Sequence, residues 1–304
     1  MKISSRTTGL ICGAIAAAAY GLNPLFAVPL YKFSLTPVMV LFYRFALAAV
    51  MLVPILLIKR IPLTIDRKEA WASCLGGALM VASSLCLYSS FNHMDLGLAM
   101  TILFVYPVIV AVVMSCFYGE KLSWSTIMSI VLALVGLVFI TCIGKQAKAG
   151  SITLTGVLLA LGSSLAYALY IVAVRKTAMH NMPCEKLTFY TVVFGTPMFF
   201  VLVKFGLALT LPTALTAWWY LLGVAFIPTI IALAFMAVSI EKVGATPTAI
   251  LGVLEPVTGL LVGIVMYGEK LTVYSSIGIV LIFSAVMLVI VGDRKKLSTR
   301  QDSE

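Results

Sequence analysis

Apolar runs of about 20 residues recur along the chain, and short polar stretches between them hold most of the charge. Such a run is the length an α-helix needs to cross the hydrocarbon core of a bilayer. Ten spans are predicted, at 7–28, 36–58, 70–91, 96–117, 124–142, 154–174, 187–206, 217–238, 246–266 and 273–291. A helix satisfies its own backbone hydrogen bonds in lipid, where an irregular segment cannot. The predicted fold class is therefore an all-α integral membrane protein of ten transmembrane helices. The connecting stretches are too short to form an aqueous domain.

The pattern repeats itself. Tyr118-Gly119-Glu120-Lys121-Leu122 returns as Tyr267-Gly268-Glu269-Lys270-Leu271, an offset of 149, and Pro107-Val108 returns as Pro256-Val257. Earlier in each half the offset is 147: Gly9 meets Gly156, Ala19-Tyr20 meets Ala166-Tyr167, Phe42-Tyr43 meets Phe189-Tyr190, Trp71 meets Trp218 and Gly76 meets Gly223. The expected organisation is a first five-helix repeat over 1–148, a second over 149–292 and a tail over 293–304. An odd number of spans per repeat forces the halves to insert with opposite orientation. Such an inverted-topology repeat is a common architecture of alternating-access transporters.

Composition sharpens this picture. Hydrophobic residues make up 62% of the 304 and charged residues 11%, against about 25% charged in a soluble domain. This chain could not cover its surface in water. The net charge of +10 raises nucleic acid as a partner, but the basic residues sit at span ends and in the tail and form no continuous basic face. They follow the positive-inside rule instead. With a cytoplasmic N-terminus, fifteen of the twenty-one Lys and Arg lie inside and five outside. That bias predicts a multi-pass protein of the cell (plasma) membrane with both termini cytoplasmic. Lys2 and Arg6 before an apolar stretch imitate a signal peptide, but the apolar run is long for one and has a counterpart in the second half.

Catalytic and metal chemistry find little support. Six cysteines, at 12, 74, 86, 116, 142 and 184, form no C-x-x-C pair and read as small buried hydrophobes. Two histidines, His93 and His180, are too few for a His-based metal cluster. No phosphate-binding loop, nucleophile elbow or metalloprotease signature occurs, so no cofactor is predicted and the chain reads as a non-enzyme.

The candidate chemistry lies inside the spans. Arg44 and Glu255 are ionisable groups at membrane depth, where an unpaired charge costs several kcal/mol and by default faces a cavity. They come from opposite halves, so an ion pair between them is open to them. In a functional role Glu255 binds an amino group or a proton and Arg44 a carboxylate; in a structural one, polar neighbours hold each in place. Lys204, near a span end, reads as snorkelling. Pro107 and Pro256 occupy equivalent mid-helix positions, where proline removes a donor and bends the helix, as a paired hinge or as a fixed kink. Pro24 and Pro228 are similar candidates. Tyr20, Tyr106, Tyr167 and Tyr170 are buried phenols that need partners and could face a bound amine; Asn23 is the other polar position of the first span. Trp71, Trp218 and Trp219 read as interfacial anchors. Glu120 and Glu269 are expected to satisfy donors opening the following helix. Gly13, Ala16, Ala17, Gly156, Ser163 and Ser164 would permit close helix approach.

Ten helices in two halves, the Gly-Glu-Lys-Leu turns after the fourth and ninth, Tyr43-Arg44-Phe45 and Leu254-Glu255-Pro256-Val257 together resemble the EamA branch of the drug/metabolite transporter superfamily. The resemblance covers nearly the whole chain. It implies a secondary transporter of small metabolites, often an exporter of amino acids or related compounds, with a central cavity lined by both halves. Amine or multidrug efflux and metabolite uptake are its variants. The implied partners are a small-molecule substrate, the lipid bilayer and protons as coupling ions. Small four-helix relatives carry an acidic residue in helix 1; this chain has none there, so any proton site lies elsewhere. An intramembrane lipid-modifying enzyme would need convergent acidic or His residues at one depth, and a scaffold or receptor would bring a soluble domain; neither feature is found.

Overall fold

The computed structural model describes residues 5–90, 92–94, 96–141, 153–205, 209–268 and 270–301. Among these residues every regular element is helical. In chain order they are α1 (Ser5–Gly21), α2 (Asn23–Tyr31), α3 (Pro37–Ile58), α4 (Arg67–Ser90), α5 (Leu96–Leu103), α6 (Tyr106–Tyr118), α7 (Trp124–Thr141) and α8 (Leu154–Lys176). A 3₁₀ turn at Ala178–Asn181 leads to α9 (Cys184–Leu202) and α10 (Leu215–Ala225). A π-helical stretch, Phe226–Ile231, joins α10 to α11 (Ala232–Val243); α12 (Ala245–Leu251), α13 (Leu254–Tyr267) and α14 (Val273–Gln301) follow. Nine helical stretches among the described residues are long and apolar enough to cross a membrane. The remaining predicted span, 187–206, falls on α9, which opens with Glu185 and Lys186 and packs against α3 and α4.

Four of these stretches are interrupted near their middles, and each interruption has a proline beside it. The first span breaks at Leu22, whose ψ of −2° leaves the helical range just before Pro24. The span 96–117 breaks at Phe104-Val105, ahead of Pro107, and the span 246–266 at Gly252-Val253, ahead of Pro256. Tyr106, Pro107, Glu255 and Pro256 therefore stand in the first turn of a second half-helix, not at mid-helix as expected. The physical cause is the missing proline N–H, which takes the donor from the carbonyl four residues back. At Pro256 that carbonyl, Gly252, accepts from the Glu255 N–H instead (2.9 Å). At Pro228 it belongs to Val224 and accepts from the Thr229 hydroxyl (2.8 Å) within the π-helical stretch.

Packing pairs elements from the two halves. α1 lies on α11 and α13, while α8 lies on α4 and α6; α3 pairs with α9, and α7 with α14. Small residues let the backbones close up. A Cβ on Gly13 would sit 2.7 Å from the Ser239 hydroxyl, and one on Gly278 would sit 2.5 Å from the Gly136 carbonyl. Ser163 donates to the Ser83 carbonyl (2.7 Å) across α4 and α8. Gly119 and Gly268 end α6 and α13 with nearly identical left-handed geometry, φ/ψ 67°/21° and 68°/23°, a conformation that costs a residue with a Cβ.

One end of the bundle is tied by charge. Lys59 pairs with Glu185, Lys186 with Glu69 (2.8 Å), and the Tyr190 hydroxyl donates to the Leu63 carbonyl. The hydrogen bond that Lys59 donates to Glu185 holds its ammonium above the ordinary pKa of 10.5, so this pair stays charged at neutral pH. Two end-of-span expectations change. Helix α7 is capped by Ser123, whose oxygen accepts from the Thr126 N–H (3.2 Å), and Glu120 makes no side-chain hydrogen bond among the described residues; Glu269 lies outside them. Trp218 packs inward on Tyr43 and donates to the Pro212 carbonyl (3.1 Å), whereas Trp71 and Trp219 are exposed. Lys204 sits just beyond α9, exposed, with φ at 53°.

Candidate functional site

The helix interruptions converge on one region, and the polar residues of the spans collect around it. Arg44, on α3, is 8% exposed. Its Nε donates to the Thr229 hydroxyl (2.5 Å) and one terminal nitrogen to the Pro228 carbonyl (2.6 Å). Its guanidinium also lies over the Tyr20 ring, 5.5 Å from the centroid. A cation held over an aromatic face gains about 0.5–2 kcal/mol, more when desolvated. The π-helical stretch thus supplies the acceptors that make a buried arginine tolerable, because widening the helix turns carbonyls away from their usual partners.

Glu255 is different. The ion pair with Arg44 that the sequence left open is not made, because the guanidinium is spent on Pro228 and Thr229. The two groups remain near enough for Arg44 to act on Glu255 through its charge. Among the described residues the Glu255 carboxylate has neither a hydrogen bond nor an ion pair, and it keeps accessible surface although protein surrounds it. Its helix crosses α1 closely here: a Cβ on Gly21 would lie 2.5 Å from the Glu255 carbonyl and 1.8 Å from the Thr258 hydroxyl. This crossing brings Glu255 beside Tyr20. The Tyr20 hydroxyl is buried without a hydrogen-bond partner among the described residues.

Aromatic groups form the facing side. The rings of Tyr106 and Tyr167 meet edge to face at 4.7 Å, and Tyr167 stacks on Tyr170 at 6.4 Å. The Tyr167 hydroxyl points to the Met236 sulfur (3.5 Å). Tyr20, Tyr106, Tyr167 and Glu255 are close enough to act on one another electrostatically. Asn23 reaches the same region from the start of α2, where it and Tyr31 interact with the Tyr88 hydroxyl. Six of the seven predicted binding residues therefore gather in one place, and Asn23 is linked to them through Tyr88. Thr229, Tyr88 and Thr258 complete the group and were not foreseen. Pro228-Thr229 inside an apolar run was the visible signal for the first; the other two are ordinary span residues that only packing singles out.

The site is polarised. At the offsets aligning the two halves, Tyr20 corresponds to Tyr167, but Arg44 corresponds to Thr191 and Glu255 to Tyr106. The cation and the anion thus have neutral counterparts, and both act on Tyr20. The opposite side is phenolic.

A profile of the EamA-like transporter family matches this chain twice, over residues 7–142 and 154–291. The chain is 25% identical over 307 residues to the uncharacterized transporter YcbK of Bacillus subtilis (strain 168), an alignment covering 98% of this chain and 96% of that one. It is 24% identical over 226 residues to the uncharacterized transporter YxxF of the same organism, covering 74% and 71%. An uncharacterized transporter of Archaeoglobus fulgidus is 25% identical over 204 residues, covering 66% and 69%. A solved crystal structure superimposes with a TM-score of 0.82 at 14% identity, covering 94% of this chain and 99% of that one, a likeness of fold.

Proposed function

This chain belongs to the EamA-like transporter family, and on that premise we propose that it is a secondary active transporter that exports amino acids or related amphipathic amines by alternating access. The observation carrying the proposal is the Glu255 carboxylate, unpaired yet accessible at the point where broken helices meet. A carboxylate left bare at membrane depth costs several kcal/mol. That cost is recovered when an ammonium group or a proton arrives. Arg44, with its guanidinium fixed from one side, faces a carboxylate of the same substrate. The tyrosines opposite receive the apolar part of the molecule.

The moving architecture is two inverted five-helix repeats, 1–148 and 149–292, in ten spans with α9 as the seventh. Three features support it. The family profile matches twice, once per half. The packing is its own image under exchange of halves: α1 on α11 repeats as α8 on α4, and α1 on α13 as α8 on α6. Interruptions before Pro107 and Pro256 fall within one residue of the same register. Two similar halves of opposite orientation can exchange conformations, and the exchange turns an outward opening into an inward one. With no nucleotide-binding motif in the sequence, the driving force is an ion gradient or the substrate's own.

Reconstitution into liposomes with labelled amino acids, amines and nucleosides, with and without a pH gradient, tests the proposal. Glu255→Gln is expected to abolish the response to the pH gradient and to lower uptake of amine-bearing substrates by about tenfold or more, the worth of one charge-assisted hydrogen bond. Transport by Glu255→Gln that matches the parent in rate and gradient response would remove the site.

A further inference from the structure

Gly252 interrupts a membrane helix where its backbone gives no reason for glycine. Its φ/ψ of −55°/−22° is right-handed helical geometry, open to every residue, and glycine there costs about 0.5–1 kcal/mol relative to alanine. The reason lies in the other half of the molecule. A Cβ on Gly252 would stand 1.8 Å from the Tyr106 hydroxyl and 3.1 Å from its ring carbon Cζ. Tyr106 opens α6 directly after the first half's interruption, so its side chain docks into the interruption of the second half.

Two contacts then fix the phenol. Its hydroxyl rests in the Gly252 notch, and its ring meets Tyr167 at 4.7 Å. Tyr167 is itself tied to Met236 (3.5 Å). Tyr106 is 2% exposed, and its hydroxyl makes no hydrogen bond among the described residues, so shape rather than a polar bond seats it. The Gly252 carbonyl accepts from the Glu255 N–H (2.9 Å). One residue without a side chain therefore touches both the backbone of Glu255 and the aromatic wall.

We propose that Gly252 is a positioning residue that sets substrate size: its notch holds Tyr106 back, and with it the aromatic wall facing Glu255. The proposal rests on the reading that Glu255 and these tyrosines line the transport site. A methyl group at Gly252 would push the hydroxyl from 1.8 Å to beyond 3.0 Å. The ring would advance into the space that a substrate's apolar part occupies. Loss of room for a methylene or two changes discrimination by about 10–200-fold in such pockets.

The test is a double-mutant cycle on the full chain in liposomes, with Gly252→Ala, Tyr106→Phe and the two combined, and amino acids from glycine to tryptophan as probes. Melting temperature in detergent is read on the same four proteins. Gly252→Ala is expected to raise KM about tenfold or more for bulky side chains and less than about threefold for small ones, with Vmax largely kept. In the Tyr106→Phe background the same change is expected to have little further effect on KM or melting, because the clashing oxygen is gone. Gly252→Ala effects that are equal in both backgrounds, or equal for every substrate size, overturn the proposal. Melting temperatures that couple while KM moves for no substrate also overturn the specificity role. That pattern leaves the notch intact and places the fault in the reading of Glu255 and the tyrosines as the transport site.

Discussion

Arg44 shows how a membrane protein accommodates a buried cation without a direct ion pair. Its donors go to the Pro228 carbonyl and the Thr229 hydroxyl, and that hydroxyl in turn donates a hydrogen bond to the Val224 carbonyl. Each hydrogen bond to a charged group is worth about 1.5–3 kcal/mol, so Arg44→Ala should cost ~3 kcal/mol and lower the melting temperature in detergent. Arg44→Lys should recover only part of that, since a single ammonium cannot reproduce the planar fork of a guanidinium. A lysine variant as stable as the parent would show that charge alone, not the two-point geometry, is what the site requires. Glu255 follows the opposite logic. No described residue hydrogen-bonds or ion-pairs with its carboxylate, Arg44 acts on it through charge alone, and in the proposed function a bound cation relieves the remaining cost.

At the scale of elements, the recurring device is a helix interrupted beside proline. Straight helices would bury every carbonyl in their own ladders and leave lipid-depth side chains as the sole polar surface. The interruptions free backbone groups and place Tyr106 and Glu255 at the openings of new half-helices. Other elements serve rigidity. The α7–α14 crossing brings Gly136 and Gly278 backbone to backbone, without room for side chains. Gly278→Leu should splay that pair at a cost of ~1–3 kcal/mol, as overpacking typically does, read as a lower melting temperature. An unshifted melting temperature would mean that the crossing relaxes freely. The apolar runs, nine of which are long enough to span among the described residues, and the small-residue faces were legible in the sequence, because both are local patterns. Interruption of the runs was less so: Pro107 and Pro256 announced a bend, but the displacement of Tyr106 and Glu255 into a following first turn depends on which carbonyls find new donors.

For the whole molecule, the proposed inversion makes a prediction about sides. Lys121 and Lys270 follow equivalent glycine caps, yet lie on opposite faces of the membrane if the halves are inverted. In a variant lacking accessible native cysteines, Lys270→Cys should react with an impermeant maleimide on intact cells, and Lys121→Cys only after permeabilisation. Reaction of both from one side would refute inversion. The ties Lys59–Glu185 and Lys186–Glu69 join α9 to α3 and α4 at one end. Lys186 is nearly buried, so Lys186→Glu should destabilise that end by placing like charges together. Glu69→Lys in the same protein should restore melting temperature and transport; failure of the swap to recover either would mean that the pair is not what closes the end.

The sequence by itself determined the helical class, the membrane, the repeat and the identity of the polar residues in the spans. Each of these is written in local composition: twenty apolar residues need lipid, and a charge among them stands out whatever its surroundings. Tertiary structure alone decided who meets whom. Arg44 finds its acceptors 184 and 185 residues away, and Tyr106 finds its seat at Gly252. These pairings arise when interrupted helices from two halves cross, and a crossing is set by the summed packing of whole faces rather than by any neighbouring residue. For that reason the cation and the anion could be picked out in the sequence, while only the fold shows that one is satisfied and the other is left open.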